Sequence, residues 1–160
     1  MIHSIGVIVG SKSDVPKLEK GLLLLDKFGI PYRLAICSAH RDPDRLKETV
    51  AAWEADGVGV FIAAAGLAAH LPGVTASLTT KPVIGLPLNA ALDGLDSLLS
   101  VVQMPPGIPV ATVGVDNSGN AAVLAAEILA LGDKDLAARI SDYRRAEREK
   151  AREDDAALGR

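Results

Sequence analysis

Short runs of β-branched and aliphatic residues alternate along this chain with segments whose apolar residues recur at helical spacing. Ile5 to Val9 is an unbroken apolar run ending at Gly10, the pattern of a strand buried on both faces. Ser13 then stands as an N-cap with Pro16 just inside a helix. Leu18, Leu22 and Leu25 follow on one stripe before Gly29 closes it. Tyr32 to Ile36 reads as a second strand. A second helix begins near Asp42 or Pro43, carries Leu46, Val50 and Trp53 on its inner face and stops at Gly57. Strands three and four are expected over Val58 to Ala64 and Val83 to Leu86, the latter bounded by Pro82 and Pro87. A helix over Leu95 to Val102 leads through Pro105, Pro106 and Gly107 to a fifth strand, Val110 to Val113. A further helix covers about Ala121 to Leu131.

Five short strands alternating with crossover helices predict an α/β fold: a parallel sheet covered on both faces, in three layers. The expected strand order is 2-1-3-4-5, as in flavodoxin-like folds. This reading gives one catalytic domain over residues 1–132 and a charged C-terminal helix over 133–160. The tail from Asp133 to Arg160 is rich in Ala, Arg, Glu and Asp, with Leu136, Ile140 and Tyr143 as a thin apolar stripe. It predicts a projecting helix, either solvated or docked by that stripe on a neighbouring subunit, and the pattern leaves both open.

At 160 residues, 49% of them apolar and 23% charged, the chain has the composition of a single globular domain. A net charge of -3 argues against a general nucleic-acid or anionic-membrane binder. The single cysteine, Cys37, allows no internal disulfide, fits a reducing cytosol and has no neighbour that would activate it. Metal-ligand spacings such as CxxC and HExxH are absent, so no metal is expected. Residues 57–80 carry no formal charge, but His70, Pro72 and several hydroxyl side chains interrupt them, and no membrane span is expected. The chain is expected to be soluble and cytoplasmic.

In open parallel sheets ligands bind at the carboxyl ends of the strands, and the unusual residues gather there. After strand one comes Gly10-Ser11-Lys12-Ser13-Asp14. Glycine admits a ligand to the backbone, two hydroxyls at a helix start can hold phosphate, and Asp14 can accept from sugar hydroxyls. This segment is neither a Walker loop nor a GxGxxG turn. After strand two comes Ser38-Ala39-His40-Arg41-Asp42-Pro43. Arg41 can grip phosphate through two parallel hydrogen bonds, Ser38 can add another, and His40 is an imidazole beside that grip. After strand three, Ala63 to Gly73 is almost wholly small residues around His70. Such a segment lets backbone lie against a flat ligand. His3, at the opposite edge of strand one, is expected to take no part in catalysis.

With these three loops assembled, the chain resembles the PurE family, on its mutase branch. The matching segments are GSKSD (10–14), SAHRDP (38–43), AGLAAHLPG (65–73), KPVIGLPL (81–88), LDGLDSLLSVVQMPPGIPVAT (92–112) and NAAVLAAEIL (120–129). The resemblance implies an isomerase of purine (IMP) biosynthesis, assembled as a homo-octamer with sites at subunit contacts, and acting on a small-molecule ribonucleotide. It implies transfer of a carboxylate from the exocyclic N5 of an aminoimidazole ribonucleotide to ring carbon C4, without ATP, metal or organic cofactor. In the mechanism so implied the carbamate loses CO2, which stays trapped and is attacked by C4, and a proton is then removed from C4. Carried over, His40 is the general acid/base and His70 a supporting catalytic residue. Ser11 and Asp14 bind the nucleotide, Asp14 at the ribose, while Ser13, Ser38 and Arg41 hold the phosphate. Gly66, Leu67 and Ala68 wall the base and the CO2 pocket, and Ala39 and Leu71 complete the substrate-binding set. Gln103 and Met104 are expected at the assembled site or a subunit contact.

Three positions depart from the family's pattern. Asp42 replaces a threonine, Leu67 stands where a second glycine is common, and GVDNSGN (114–120) replaces a glycine- and alanine-rich stretch. Direct carboxylation of the unsubstituted ribonucleotide is the alternative within the family, and the AAHLPG segment resembles the mutase form. A receiver domain is disfavoured because strand three ends in Ala63-Ala64-Ala65, and a flavin carrier because these loops lack aromatic rings.

Overall fold

The computed structural model describes residues 4–159. Five parallel strands form one sheet in the order β2-β1-β3-β4-β5. They are β1 (Ser4–Val9), β2 (Tyr32–Ile36), β3 (Val58–Gly66), β4 (Val83–Leu88) and β5 (Ala111–Thr112). The helices are α1 (Glu19–Lys27), α2 (Pro43–Ala55), α3 (Leu71–Leu78), α4 (Leu95–Val102), α5 (Ser118–Ala130) and α6 (Lys134–Ala157). The three-layer, flavodoxin-like arrangement read from the sequence is the observed one. His3 lies outside the described residues. No helix among the described residues is long and apolar enough to cross a membrane.

Alternation along the central strands feeds two cores. Ile5, Val7 and Val9 of β1 join Val60, Ile62 and Ala64 of β3 and Ile84, Leu86 and Leu88 of β4 under α1, α5 and α6. Ile8, Phe61, Ala63 and Ala65 face α2, α3 and α4 on the other side. Both faces of β1, β3 and β4 are therefore dry, and this is why those strands read as unbroken apolar runs. The alanines lining α5 (Ala121, Ala122, Ala125, Ala126) let that helix lie close against the sheet. Gly21 of α1 donates its N–H to Ser118 Oγ at 3.2 Å. A Cβ at Gly21 would stand 2.6 Å from the Ser118 carbonyl oxygen, so this glycine sets the approach of two helices that both begin beside the ligand-binding edge of the sheet.

Four elements differ from the sequence reading. The first helix opens as a 3-10 segment, Lys12–Leu18, capped by Ser11 rather than Ser13. Pro16 falls inside that tighter turn. Strand β4 runs through Pro87 to Leu88. Proline is tolerated because β5 has ended by then: Pro87 faces that side, and its carbonyl accepts the Asp116 N–H at 2.9 Å instead of a ladder bond. Strand β5 is correspondingly only two residues long. Helix α3 was not expected, because Pro72 and Gly73 read as a loop. Pro72 sits in its first turn, where a missing N–H costs nothing.

The apolar stripe of the tail packs on the chain's own domain. Leu136 and Ile140 are buried in the first core, and Tyr143 meets Phe28 edge-on with ring centres 5.5 Å apart. Beyond Tyr143 the helix is solvent-exposed.

Candidate active site

The C-terminal ends of β1, β3 and β4, together with the segment after β2, surround a cleft of about 330 Å³. Its walls are Gly10, Ser11, Ser13 and Asp14 after β1, and Ser38, Ala39 and His40 after β2. Ala65, Gly66, Leu67, Ala68, His70 and Leu71 follow from β3, with Ala90 after β4. A wider groove of about 700 Å³ opens elsewhere, around Thr79, Lys81 and Pro109. It contains no imidazole or carboxylate, and the smaller cleft, with both, is the candidate site.

Direct contacts join the loops. Ser11 Oγ lies 3.0 Å from Ser13 Oγ and accepts the Ser13 N–H, presenting two hydroxyls at the start of the 3-10 turn. Ser38 Oγ accepts the Arg41 N–H at 3.3 Å. The Arg41 guanidinium reaches back and donates to the Gly10 carbonyl at 2.8 Å, tying the second loop to the first. His40 Nε2 and His70 Nδ1 are 2.6 Å apart, with ring planes at 85°, tying the second loop to the third. One of these nitrogens must donate and the other accept, so the pair holds one proton between two rings and has opposite roles at the shared contact.

Of the catalytic and substrate-binding residues assigned from the sequence after strands one to three, all line this cleft except Arg41, which borders it through Gly10. Sequence reasoning placed no β4 residue there. Ala90 was missed because a methyl group carries no chemical signal. Its place follows only from β4 being the neighbour of β3. Gln103 and Met104 do not line the cleft. Met104 packs on α3, where a Cβ at Gly73 would stand 3.0 Å from its Sδ. Leu67 has φ 57, the conformation a glycine would adopt freely. Leu67 lines the cleft and is 56% exposed. Asp42 caps α2 by accepting the Arg45 N–H at 3.1 Å, the same service a threonine would give. Cys37 is buried, with Sγ 3.6 Å from Thr49 Oγ1.

The family described as AIR carboxylase matches residues 4–150. The chain belongs to the AIR carboxylase family. An N5-carboxyaminoimidazole ribonucleotide mutase of Methanocaldococcus jannaschii is 58% identical over 138 residues, 86% of each chain. A phosphoribosylaminoimidazole carboxylase of Schizosaccharomyces pombe is 49% identical over 140 residues, which are 87% of this chain but 25% of that one. Among solved structures, a variant of Treponema denticola PurE2 superposes with a TM-score of 0.92 at 31% identity and covers the whole of both chains. The family assignment agrees with the resemblance carried by the loops after strands one to three.

Burial raises the Asp14 carboxyl above its usual range, and the nearby Lys17 ammonium opposes the shift. The folded chain thus holds this proton more tightly than the unfolded chain. That contribution to stability is present below the ordinary carboxylate range and lost as pH rises through the raised value. At neutral pH the ionised group costs stability. Asp14→Asn is expected to raise the urea midpoint at pH 7 over that of the parent, with the gain shrinking as pH falls through the raised value and gone by about 4. A gain of equal size at both pH values would contradict the assignment.

Proposed function

We propose that this chain is an isomerase of purine biosynthesis, converting N5-carboxyaminoimidazole ribonucleotide to the 4-carboxy isomer within a single cleft. The observation that carries the reading is the His40–His70 pair set against two serine-bearing loops and a wall of small residues. The hydroxyls of Ser13 and Ser38, with Arg41, supply donors suited to a phosphate. Ser11 and Asp14 suit the ribose. Gly66, Leu67 and Ala68 give a flat, narrow face for the imidazole ring, and Ala39 and Leu71 border it.

The proton balance fits one shared proton. As the N5–carboxylate bond breaks, N5 must gain a proton. As C4 captures the released CO2, the proton on C4 must leave. An imidazole that gives the first and takes the second ends where it began, and no reagent is consumed. His40 is the group placed for this exchange, with His70 holding its ring by the shared contact. Keeping CO2 in the cleft between the two steps replaces an encounter in solution by a positioned one. Relatives close to this chain in length are named mutases, which favours transfer over direct carboxylation.

Given the N5-carboxy ribonucleotide without ATP, metal or bicarbonate, the protein is expected to form the 4-carboxy product. Product formed only from the unsubstituted ribonucleotide with added CO2 would overturn the transfer reading in favour of direct carboxylation. His40→Asn is expected to lower kcat by about 10²- to 10⁴-fold with KM little changed. Arg41→Ala is expected to raise KM instead.

The reading extends to assembly as a homo-octamer in the cytoplasm. Leu92, Leu95, Leu99 and Val102 lie at helical spacing on and just before α4 and are 76%, 56%, 48% and 48% exposed. Such an apolar stripe suits a contact between copies, and a single buried thiol suits a reducing compartment. Light scattering is expected to give a particle eight times the chain mass, and Leu95→Glu a smaller one. A monomeric parent protein would refute the assembly.

A further inference from the structure

Asn89 and Ala90 carry the chain out of β4 to the cleft. There Ala90 rests on the third loop, since a Cβ on Gly66 would stand 2.9 Å from that of Ala90. The backbone just before Ala90 is gripped by two side chains from distant parts of the sequence. Asp116 Oδ1 accepts the Asn89 N–H at 3.0 Å, and Lys17 Nζ donates to the Asn89 carbonyl. Lys17 and Asp116 also face each other, with Nζ to Oδ1 at 3.7 Å.

Asp116 adopts φ 55, a conformation free for glycine and one that aspartate enters at a modest cost. It lies in GVDNSGN, the stretch in which this chain departs from the glycine- and alanine-rich pattern. The departure therefore installs a carboxylate that reaches the Asn89 amide and the Lys17 ammonium together. Lys17 follows Ser11, Ser13 and Asp14 in the same 3-10 turn, so the clamp joins the first loop to the fourth wall of the cleft.

We propose that Lys17 is a positioning residue for the carboxylate transfer, acting through Asp116 and the Asn89 backbone to hold Ala90 against Gly66 and keep released CO2 in the cleft. The inference rests on the reaction proposed above. A clamp of this kind acts first on the fate of CO2, because neither charged group lines the cleft. Lys17 also stands near Asp14, so Asp116→Gly is the variant that reads the clamp apart from ribonucleotide binding.

The test supplies the N5-carboxy ribonucleotide to the full chain in ¹³C-bicarbonate buffer and measures label in the 4-carboxy product at early times, corrected for an enzyme-free blank. The parent protein is expected to exclude most of the label. Lys17→Met and Asp116→Gly should each raise incorporation roughly tenfold with KM little changed, and Lys17→Arg should restore retention. Asp116→Gly relieves the left-handed backbone, so its melting temperature should hold or rise while CO2 leaks. This outcome separates the clamp from general loosening of the fold. Incorporation unchanged from the parent in both variants would overturn the role of Lys17 while leaving the reaction intact. A parent protein that does not turn over the N5-carboxy compound would overturn both.

Discussion

Two imidazole nitrogens 2.6 Å apart cannot both carry a proton or both lack one and remain bonded. This constraint organises the cleft. It fixes the relative placement of the second and third loops, it gives the two rings unlike roles, and it leaves a proton that can be lent and recovered. The Arg41 contact with the Gly10 carbonyl does the corresponding work between the first and second loops. The parallel sheet makes both contacts possible, because it brings the carboxyl ends of β1, β2 and β3 to one edge, although the loops are far apart in sequence.

The same edge is where the fold is least comfortable. Leu67, Leu92, Asp93 and Asp116 all have positive φ and all follow the ends of β3, β4 or β5. Asp14 is held there in a setting that opposes its charge. Strained backbone and desolvated charge at a ligand-binding edge are sustained by order elsewhere. Here that order is a sheet whose central strands are buried on both faces between two apolar layers. The buried apolar layers lie in the middle of the molecule and the candidate site at its rim.

The parts legible in the sequence are those where one physical demand dominates. A strand buried on both sides must be apolar throughout, so β1 and β3 stood out, and the loops after the first three strands concentrated hydroxyl, imidazole and guanidinium groups. Where two demands compete, the local pattern misleads. Ser13 has the chemistry of a cap, but Ser11 two residues earlier has the same hydroxyl and is the residue that caps the first helix. Pro72 and Gly73 signal a loop, yet proline in a first turn and a glycine against Met104 are compatible with α3. Pro87 signals a strand end, yet it lies inside β4 because its neighbour β5 is so short. Ala90 and the Lys17–Asp116 clamp were invisible for another reason. Their meaning is a contact between residues far apart in sequence, and neither composition nor periodicity encodes it.

The most direct measurement of the central claim is a crystal structure of the protein soaked with its 4-carboxy ribonucleotide product. The account predicts one molecule in the cleft, with its phosphate on Ser13, Ser38 and Arg41, its ribose by Asp14, and the ring within hydrogen-bonding reach of His40. A ribonucleotide seated in the groove around Thr79 and Lys81, or one whose ring lies away from both imidazoles, would contradict it.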